Sequence, residues 1–494
     1  MNALVRKEIR LLWPVWLMTM AVVLCLGFVK HETGTGFLIS LVAIGSVLLG
    51  VTSFGYEFSH GTFSILLAQP IPRVRLLRIK MCVLAAAMLT ICLALLVVVV
   101  SRWGPDLRNS DVQMFILFVV IGFGAAFAGG ALLSQAARQT GVAFWISILF
   151  PIAIASAIGI LMSDRSETAM AWSQGLALGS YDVIAFLLAC RHFLRAQDLP
   201  PASGAISLPQ WLRMRSKVQS ATAIRSYRPI KAMIRKELQL HQITLFLAGI
   251  LLVLHIAVLF VRKIVFDPNN LHKTSYELLG IWWLLWFILP LMFAGVAIAE
   301  ERRQGSLAGL LCLPVRREVQ YLIKCAVALG LGVLFGGVMP WLLETIGLAA
   351  GYPTGFIRES PFSRNPWLFL GYTASVSTAI TIVGFYASSL GQSVLQTLGT
   401  TILLSFAVFQ FLILFDLNGY TEAEDLWVDL NFRMGAPLFA LLLLRLAYSN
   451  FKQLHIGWRV WAKNAAVMLL FFGLELAFMA AFYKTLLPIL GRRY

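Results

Sequence analysis

The chain has 494 residues, of which 59% are hydrophobic and 13% charged, with a mean hydropathy of +0.81 and a formal net charge of +17. A soluble globular chain is nearer half apolar and a quarter charged, so too little polar surface is present to coat a particle of this size in water, and a soluble enzyme is excluded. The basicity would suit nucleic acid only if it formed a patch; it follows the loops between apolar runs instead, which argues for membrane topology and against a nucleic-acid partner.

Apolar runs of about 20 residues cross a hydrocarbon core of roughly 30 Å as helices. The sequence predicts such spans at 13–29, 37–54, 81–100, 112–133, 142–162, 172–190, 242–261, 278–299, 325–344, 366–387, 394–415, 434–449 and 464–483. The expected fold is therefore an all-α polytopic membrane protein of about 13 spans. Arg6, Lys7 and Arg10 before the first run give it the look of a signal peptide. It lacks an A-x-A-like cleavage site and a similar segment recurs in mid-chain, so it reads as a retained first span. Lys and Arg gather in the segments that lie inside if the N-terminus is cytoplasmic, and this orientation leaves the C-terminus outside. Trp282, Trp283 and Trp286, at the outer end of the eighth span, suit headgroup anchors. Cys25, Cys82, Cys92, Cys190, Cys312 and Cys325 show no C-x-x-C spacing and read as unpaired structural thiols. Asp182 and Glu475 lie near the middle of their spans, where a charge is expensive; they are candidates for a translocation path or for local helix packing.

The two halves of the chain resemble each other. VRKEIR at 5–10 and IRKELQ at 234–239 each lead into a span. FGYEFSHGTFSILLAQPIPR at 54–73 and IAEERRQGSLAGLLCLPVRR at 298–317 share, at a constant offset of 244, Glu57/Glu301, Gly61/Gly305, Leu66/Leu310, Leu67/Leu311, Pro70/Pro314 and Arg73/Arg317, followed by Lys80/Lys324. ACRHF at 189–193 against AYSNF at 447–451 keeps the order. Each repeat holds six spans, so both insert the same way up and a path between parallel halves follows naturally. The predicted division is a first repeat at 1–198, a basic cytoplasmic linker at 199–229, a second repeat at 230–460, and an additional helix at 461–494.

The motif E-x3-G-[ST]-x3-L-L-x2-P-x2-R-x6-K falls twice at the cytoplasmic end between a second and a third span. Gly61 and Gly305 permit a sharp turn, Thr62 and Ser306 suit N-caps, and Pro70 and Pro314 discourage further helix. Each copy should be a peg of about seven helical residues, roughly 10 Å long. Leu66 and Leu67, with Leu310 and Leu311, would give it an apolar patch, and Arg73, Arg75 and Arg78, or Arg316 and Arg317, basic flanks. Such an element suits protein docking; the plainer reading is a re-entrant turn held by snorkelling arginines, and two copies in register favour a docking pair.

These lead-in segments and the E-x3-G-[ST]-x6-7-P-x2-R pattern resemble the permease subunits of type-2 ABC exporters. The resemblance implies two six-helix permease domains fused in one chain, with the pegs as coupling helices at Glu57, Gly61, Thr62, Leu66, Pro70 and Arg73, and at Glu301, Gly305, Ser306, Leu310, Pro314 and Arg317. It also implies export from a prokaryotic plasma membrane. The sequence has no G-x4-G-K-[ST] and no LSGGQ-like segment, so ATP and magnesium would be bound by separate nucleotide-binding subunits, two copies or a heterodimer. No catalytic residues, metal site or cofactor are expected on this chain, and the partners are those subunits and the bilayer. A six-plus-six secondary transporter of major facilitator type is the main alternative; its G-x3-D-x-x-G-[RK]-[RK] loop is absent and few acids lie within the spans. A non-transporting scaffold is another. An intramembrane enzyme finds no support, because the seven histidines form no H-E-x-x-H arrangement.

Overall fold

The computed structural model describes residues 3–26, 32–59, 62–103, 110–137, 140–162, 167–196, 229–265, 281–351, 366–394, 396–401, 404–405 and 431–485. The protein is an all-α polytopic membrane protein, with eight described helices long and apolar enough to cross a bilayer and a shorter apolar helix at Val42–Phe58. Every predicted span overlaps helical residues; that at 394–415 does so at 394, 396–401 and 404–405 and otherwise lies outside the described residues, as does most of the basic linker. The chain forms two compact units.

The first unit takes in Met1–Tyr227, Gln242–Leu289 and Phe335–Ala374. Its first part comprises α1 (Ala3–Leu26), α2 (Glu32–Ser59), the short α3 (Phe63–Leu67), α4 (Arg73–Trp103), α5 (Ser110–Ala137), α6 (Thr140–Leu161) and α7 (Glu167–Arg195). α1 packs on α2 and α4, α2 on α5 and α6, and α5 on α6 and α7. Small residues let α2 and α5 touch through their backbones: a Cβ on Gly50 would sit 2.1 Å from the Ala126 carbonyl oxygen, and one on Gly130 2.8 Å from the Gly50 carbonyl carbon. Gly50→Ala should therefore push the two helices apart and lower the melting temperature, a loss of roughly 1–3 kcal/mol that thermal unfolding of the purified chain would measure. The same unit holds α9 (Gln242–Val265), a 3-10 turn (Ile281–Phe287) and α13 (Met339–Ala349).

The second unit takes in Arg228–His241, Pro290–Leu334 and Ser375–Tyr494. It contains α8 (Pro229–Leu240), most of α10 (Ile288–Arg303), α11 (Ser306–Leu311), α12 (Arg317–Val333), the later part of α14 (Pro366–Leu390), α15 (Ala436–Phe451) and α16 (Trp458–Thr485). α8 lies on α12, α12 on α15, and α15 on α16. A buried polar chain also ties α14, α15 and α16: Asn464 Nδ2 donates to Asn450 Oδ1 at 3.1 Å, and Asn450 Nδ2 to Ser389 Oγ at 3.1 Å. All three side chains are buried, so no water competes for these bonds.

The aromatic expectation for the eighth span is corrected. Trp282, Trp283 and Trp286 are buried, not headgroup anchors. Two of the indoles have specific acceptors, Ser156 Oγ at 3.0 Å for Trp282 and His255 Nδ1 at 3.1 Å for Trp286. A buried indole N–H needs such an acceptor, and here polar side chains on α6 and α9 supply it. Among the described residues Cys82, Cys92, Cys190, Cys312 and Cys325 are free thiols.

Candidate functional site

The repeated motif builds the same cluster of charges twice. In the first unit Lys80, from the second turn of α4, is buried with its Nζ 2.9 Å from Glu8 on α1 and 3.4 Å from Glu57 near the end of α2. It also donates to the Ser53 carbonyl oxygen at 3.0 Å, and Lys7 Nζ reaches Glu57 at 2.6 Å. In the second unit Lys324 Nζ lies 2.8 Å from both Glu237 on α8 and Glu301 on α10, donates to the Ala297 carbonyl oxygen at 3.1 Å, and Lys236 pairs with Glu301. Each cluster balances two carboxylates with two ammonium groups, so the central lysine and both acids are buried without net charge. The offset of 244 relates Glu57, Lys80 and Ser53 to Glu301, Lys324 and Ala297, while an offset of 229 relates Lys7 and Glu8 to Lys236 and Glu237.

Each cluster is tied to the turn into the short helix that follows its acidic residue, through Thr62 on Glu57 and Ser306 on Glu301. α3 spans five residues and α11 six, somewhat shorter than the expected seven. Gly305 has φ +70°, the left-handed conformation that the turn requires of a glycine; Gly61 lies outside the described residues. In α11 the N-cap is Gly305 and not Ser306, and no side chain caps that helix. Thr62 Oγ1 donates back to the Glu57 carboxylate at 2.6 Å and Ser306 Oγ to the Glu301 carbonyl oxygen at 3.3 Å, so both tie the turn to the helix before it. Thr62 gives its one hydroxyl proton to a buried carboxylate, a charge-assisted and therefore strong hydrogen bond.

The leucines point inward. Leu66 is 2% exposed and Leu310 3%, each in the hydrophobic core of its unit. Phe54, Phe63 and Phe193 meet edge to face around α3, and Ile298, Leu307 and Phe451 take part in the core beneath α11. The outward apolar side chains are Ile65, 65% exposed, and Leu313, 39% exposed, with Pro70 and Pro314 also at the surface. Arg73 is fixed: its guanidinium donates to the Leu194 and Ala196 carbonyls at 3.3 and 2.7 Å, at the C-terminal end of α7 where a cation opposes the helix dipole. Arg317 is exposed, and the matching task in the second unit falls to Arg302, which donates to the Ser389, Gly391 and Gln453 carbonyls. Sequence comparison misses Arg302, because its counterpart at the offset of 244 is Phe58.

The second cluster has a neighbour that the first lacks. His241 is fully enclosed, edge to face with Phe293, and neither ring nitrogen has a hydrogen-bond partner among the described residues. Burial, reinforced by the Lys324 charge, pushes its pKa from 6.5 down to about 3. Burial also holds the Glu237 carboxyl above the usual range, with Lys324 pulling it back. An unfolded chain takes up a proton on His241 below pH 6.5 that the folded protein refuses. Stability is therefore kept above that pH and lost as it falls, by about 2 kcal/mol at pH 5. Leu12 occupies the corresponding place in the first repeat. His241→Leu should flatten the acid side of the melting-temperature profile and leave pH 8 little changed; an unaltered acid slope would refute the assignment.

A charged cluster of another kind lies in the first unit. Arg262 Nη1 donates to both Glu344 oxygens, at 2.9 and 3.1 Å, and His255 Nε2 lies 3.3 Å from Glu344 Oε1, while its Nδ1 accepts from Trp286. All three charged or titratable side chains are buried between α9 and α13. Glu344 closes the predicted span at 325–344, and its partners lie more than 80 residues earlier, so only the signal of an acid at the end of an apolar run could have pointed to it.

The two acids expected within spans fare differently. Asp182 is packed against α5, its Oδ2 2.2 Å from where a Cβ on Gly124 would stand, and its Oδ1 has no hydrogen-bond partner among the described residues. Glu475 is half-buried on α16, a helix whose apolar stretch is 6% buried. No group of three or more His, Cys, Asp or Glu able to hold a metal occurs among the described residues.

No curated protein matches the chain. Residues 238–408, which take in α9, the turn of α11 and Lys324 of the second cluster, match the family model described as ABC-2 family transporter protein. Over that stretch the chain is similar to ABC-2 transporter domains, which supports a multi-pass membrane permease of the ABC-2 type.

Proposed function

We propose that the chain is the transmembrane permease component of an ATP-binding cassette exporter, with two six-helix permease repeats and an additional C-terminal helix in one polypeptide. The observation that carries this reading is the repeated cluster. Lys80 with Glu8 and Glu57, and Lys324 with Glu237 and Glu301, each join the lead-in helix, the helix before the turn and the helix after it. A push on α3 or α11 then moves three helices together, which is what a coupling element must do. On this reading the turns face the cytoplasm of a prokaryotic cell, with the N-terminus on the same side. Separate nucleotide-binding subunits, two copies or a heterodimer, hold ATP and magnesium, and their closure draws the pegs together. The residues proposed to serve coupling are Glu57, Gly61, Thr62, Leu66, Pro70 and Arg73, with Glu301, Gly305, Ser306, Leu310, Pro314 and Arg317.

Ile65 and Leu313 are the side chains placed to touch those subunits, since Leu66 and Leu310 face inward. The test is whether a separately encoded nucleotide-binding ATPase subunit co-purifies with this chain. Ile65→Asp with Leu313→Asp should abolish the complex and the stimulation of ATP hydrolysis while the permease keeps its melting temperature, because both side chains are exposed. An intact complex with intact coupling would sink the proposal.

A further inference from the structure

We infer that the first repeat carries a site for an anionic phospholipid in the groove between α1 and α4. The groove has a volume of about 560 Å³ and is lined by stripes from the two helices. Val5, Ile9, Leu12, Trp13 and Trp16 come from α1, at the i, i+4, i+7, i+8, i+11 spacing of one helix face. Arg78, Cys82, Ala86 and Thr90 come from the facing side of α4.

Its polar groups are distributed as a lipid requires. Arg78, exposed near the start of α4, has no carboxylate partner among the described residues; the nearby acids Glu8 and Glu57 are held by Lys80 and Lys7. At the other end, about 18 Å along the helix, Trp16 Nε1 donates to Thr90 Oγ1 at 2.8 Å and the Thr90 hydroxyl to the Ala87 carbonyl oxygen at 2.8 Å. That end is thereby closed and makes no further polar demand. Trp13 stacks on Trp16 with ring centroids 5.2 Å apart and lengthens the apolar wall. A guanidinium at the mouth without a carboxylate partner among the described residues, and an apolar trough behind it, fit a phosphate headgroup on an acyl chain.

The shared scaffold does not by itself create this site. At the offsets of 229 and 244 the second repeat has Gln242 for Trp13, Leu245 for Trp16, Leu322 for Arg78 and Ala326 for Cys82. The cation, both indoles and the thiol are all replaced. The inference is independent of the proposed transport role, because it uses neither turn helix.

Cys82 is an exposed free thiol in the groove wall and reports occupancy directly. The full chain, purified in detergent, is titrated with dioleoyl phosphatidylglycerol or dioleoyl phosphatidylcholine, and alkylation of Cys82 by N-ethylmaleimide is followed by peptide mass spectrometry. Cys312, exposed beside α11, is the internal reference. Phosphatidylglycerol should protect Cys82 at about fivefold lower concentration than phosphatidylcholine, as one arginine–headgroup contact allows, with Cys312 unaffected. Arg78→Gln should remove the difference and Arg78→Lys retain part of it. Equal protection by both lipids, no protection by either, or parallel protection of Cys312 would each overturn the site. Protection in lipid-free micelles that grows with protein concentration would assign the groove to a second copy of the chain and overturn it equally.

Discussion

Replacing Lys324 with methionine is expected to destabilise the protein by about 3–5 kcal/mol, the usual result of removing one partner from a buried ion cluster. Methionine fills much of the same space but leaves Glu237 and Glu301 buried without their shared counter-ion, and the Ala297 carbonyl oxygen without its donor. One of the two acids must then take a proton or the three helices must part. Against a total stability of order 5–15 kcal/mol this is a large fraction, so a clear fall in the melting temperature of the detergent-solubilised chain should be seen. Adding Glu237→Gln and Glu301→Gln to Lys324→Met should recover much of the loss, because it removes the stranded charges. Lys80→Met should show a similar fall, since Glu8, Glu57 and the Ser53 carbonyl surround Lys80 in the same way. A wild-type melting temperature for Lys324→Met would show that the cluster is not the joint described above.

Much of this joint is legible in the amino-acid sequence. Glu57/Glu301 and Lys80/Lys324 recur in one register, and the Lys-Glu pair recurs in both lead-in segments, so the participants could be identified as repeated charges. What the repeat could not convey is that the lead-in acid and the turn acid share one lysine, because that depends on how three helices pack. Gly305 was readable since its left-handed backbone favours glycine. The inward direction of Leu66 and Leu310 was not: a helix of five or six residues has less than two turns, too few for a periodic pattern to show which side faces the core. Ser306 misled for a related reason. A hydroxyl at the start of a short helix looks like a cap, yet the left-handed Gly305 takes the cap position and Ser306 is already the first helical residue. Arg73 and Arg302 perform one task from different places in the motif, so aligning the halves finds only the first.

Glu344→Leu should be at least as damaging as Lys324→Met, again about 3–5 kcal/mol, and harder for the protein to relieve. The substitution takes both acceptor oxygens from Arg262 and the acidic neighbour from His255, all within a buried part of the first unit. A buried carboxylate or lysine can shed its charge by gaining or losing a proton, whereas arginine does not give up its proton to escape burial. Arg262 would have to withdraw toward a polar surface and pull on α9, on which Trp286 also depends through His255. The compensating variant Arg262→Met with Glu344→Leu removes the charge and its counter-ion together, and well-packed apolar replacements of a buried ion pair are often neutral or stabilising. Thermal unfolding should therefore show a deep loss for Glu344→Leu and recovery in the double variant. Equal melting temperatures for the wild type and Glu344→Leu would refute the pairing. Transport measured on the stable double variant then separates two roles for the cluster: wild-type transport would make it a helix fastening alone, and lost transport in a fully stable protein would place Glu344 and Arg262 in the working cycle.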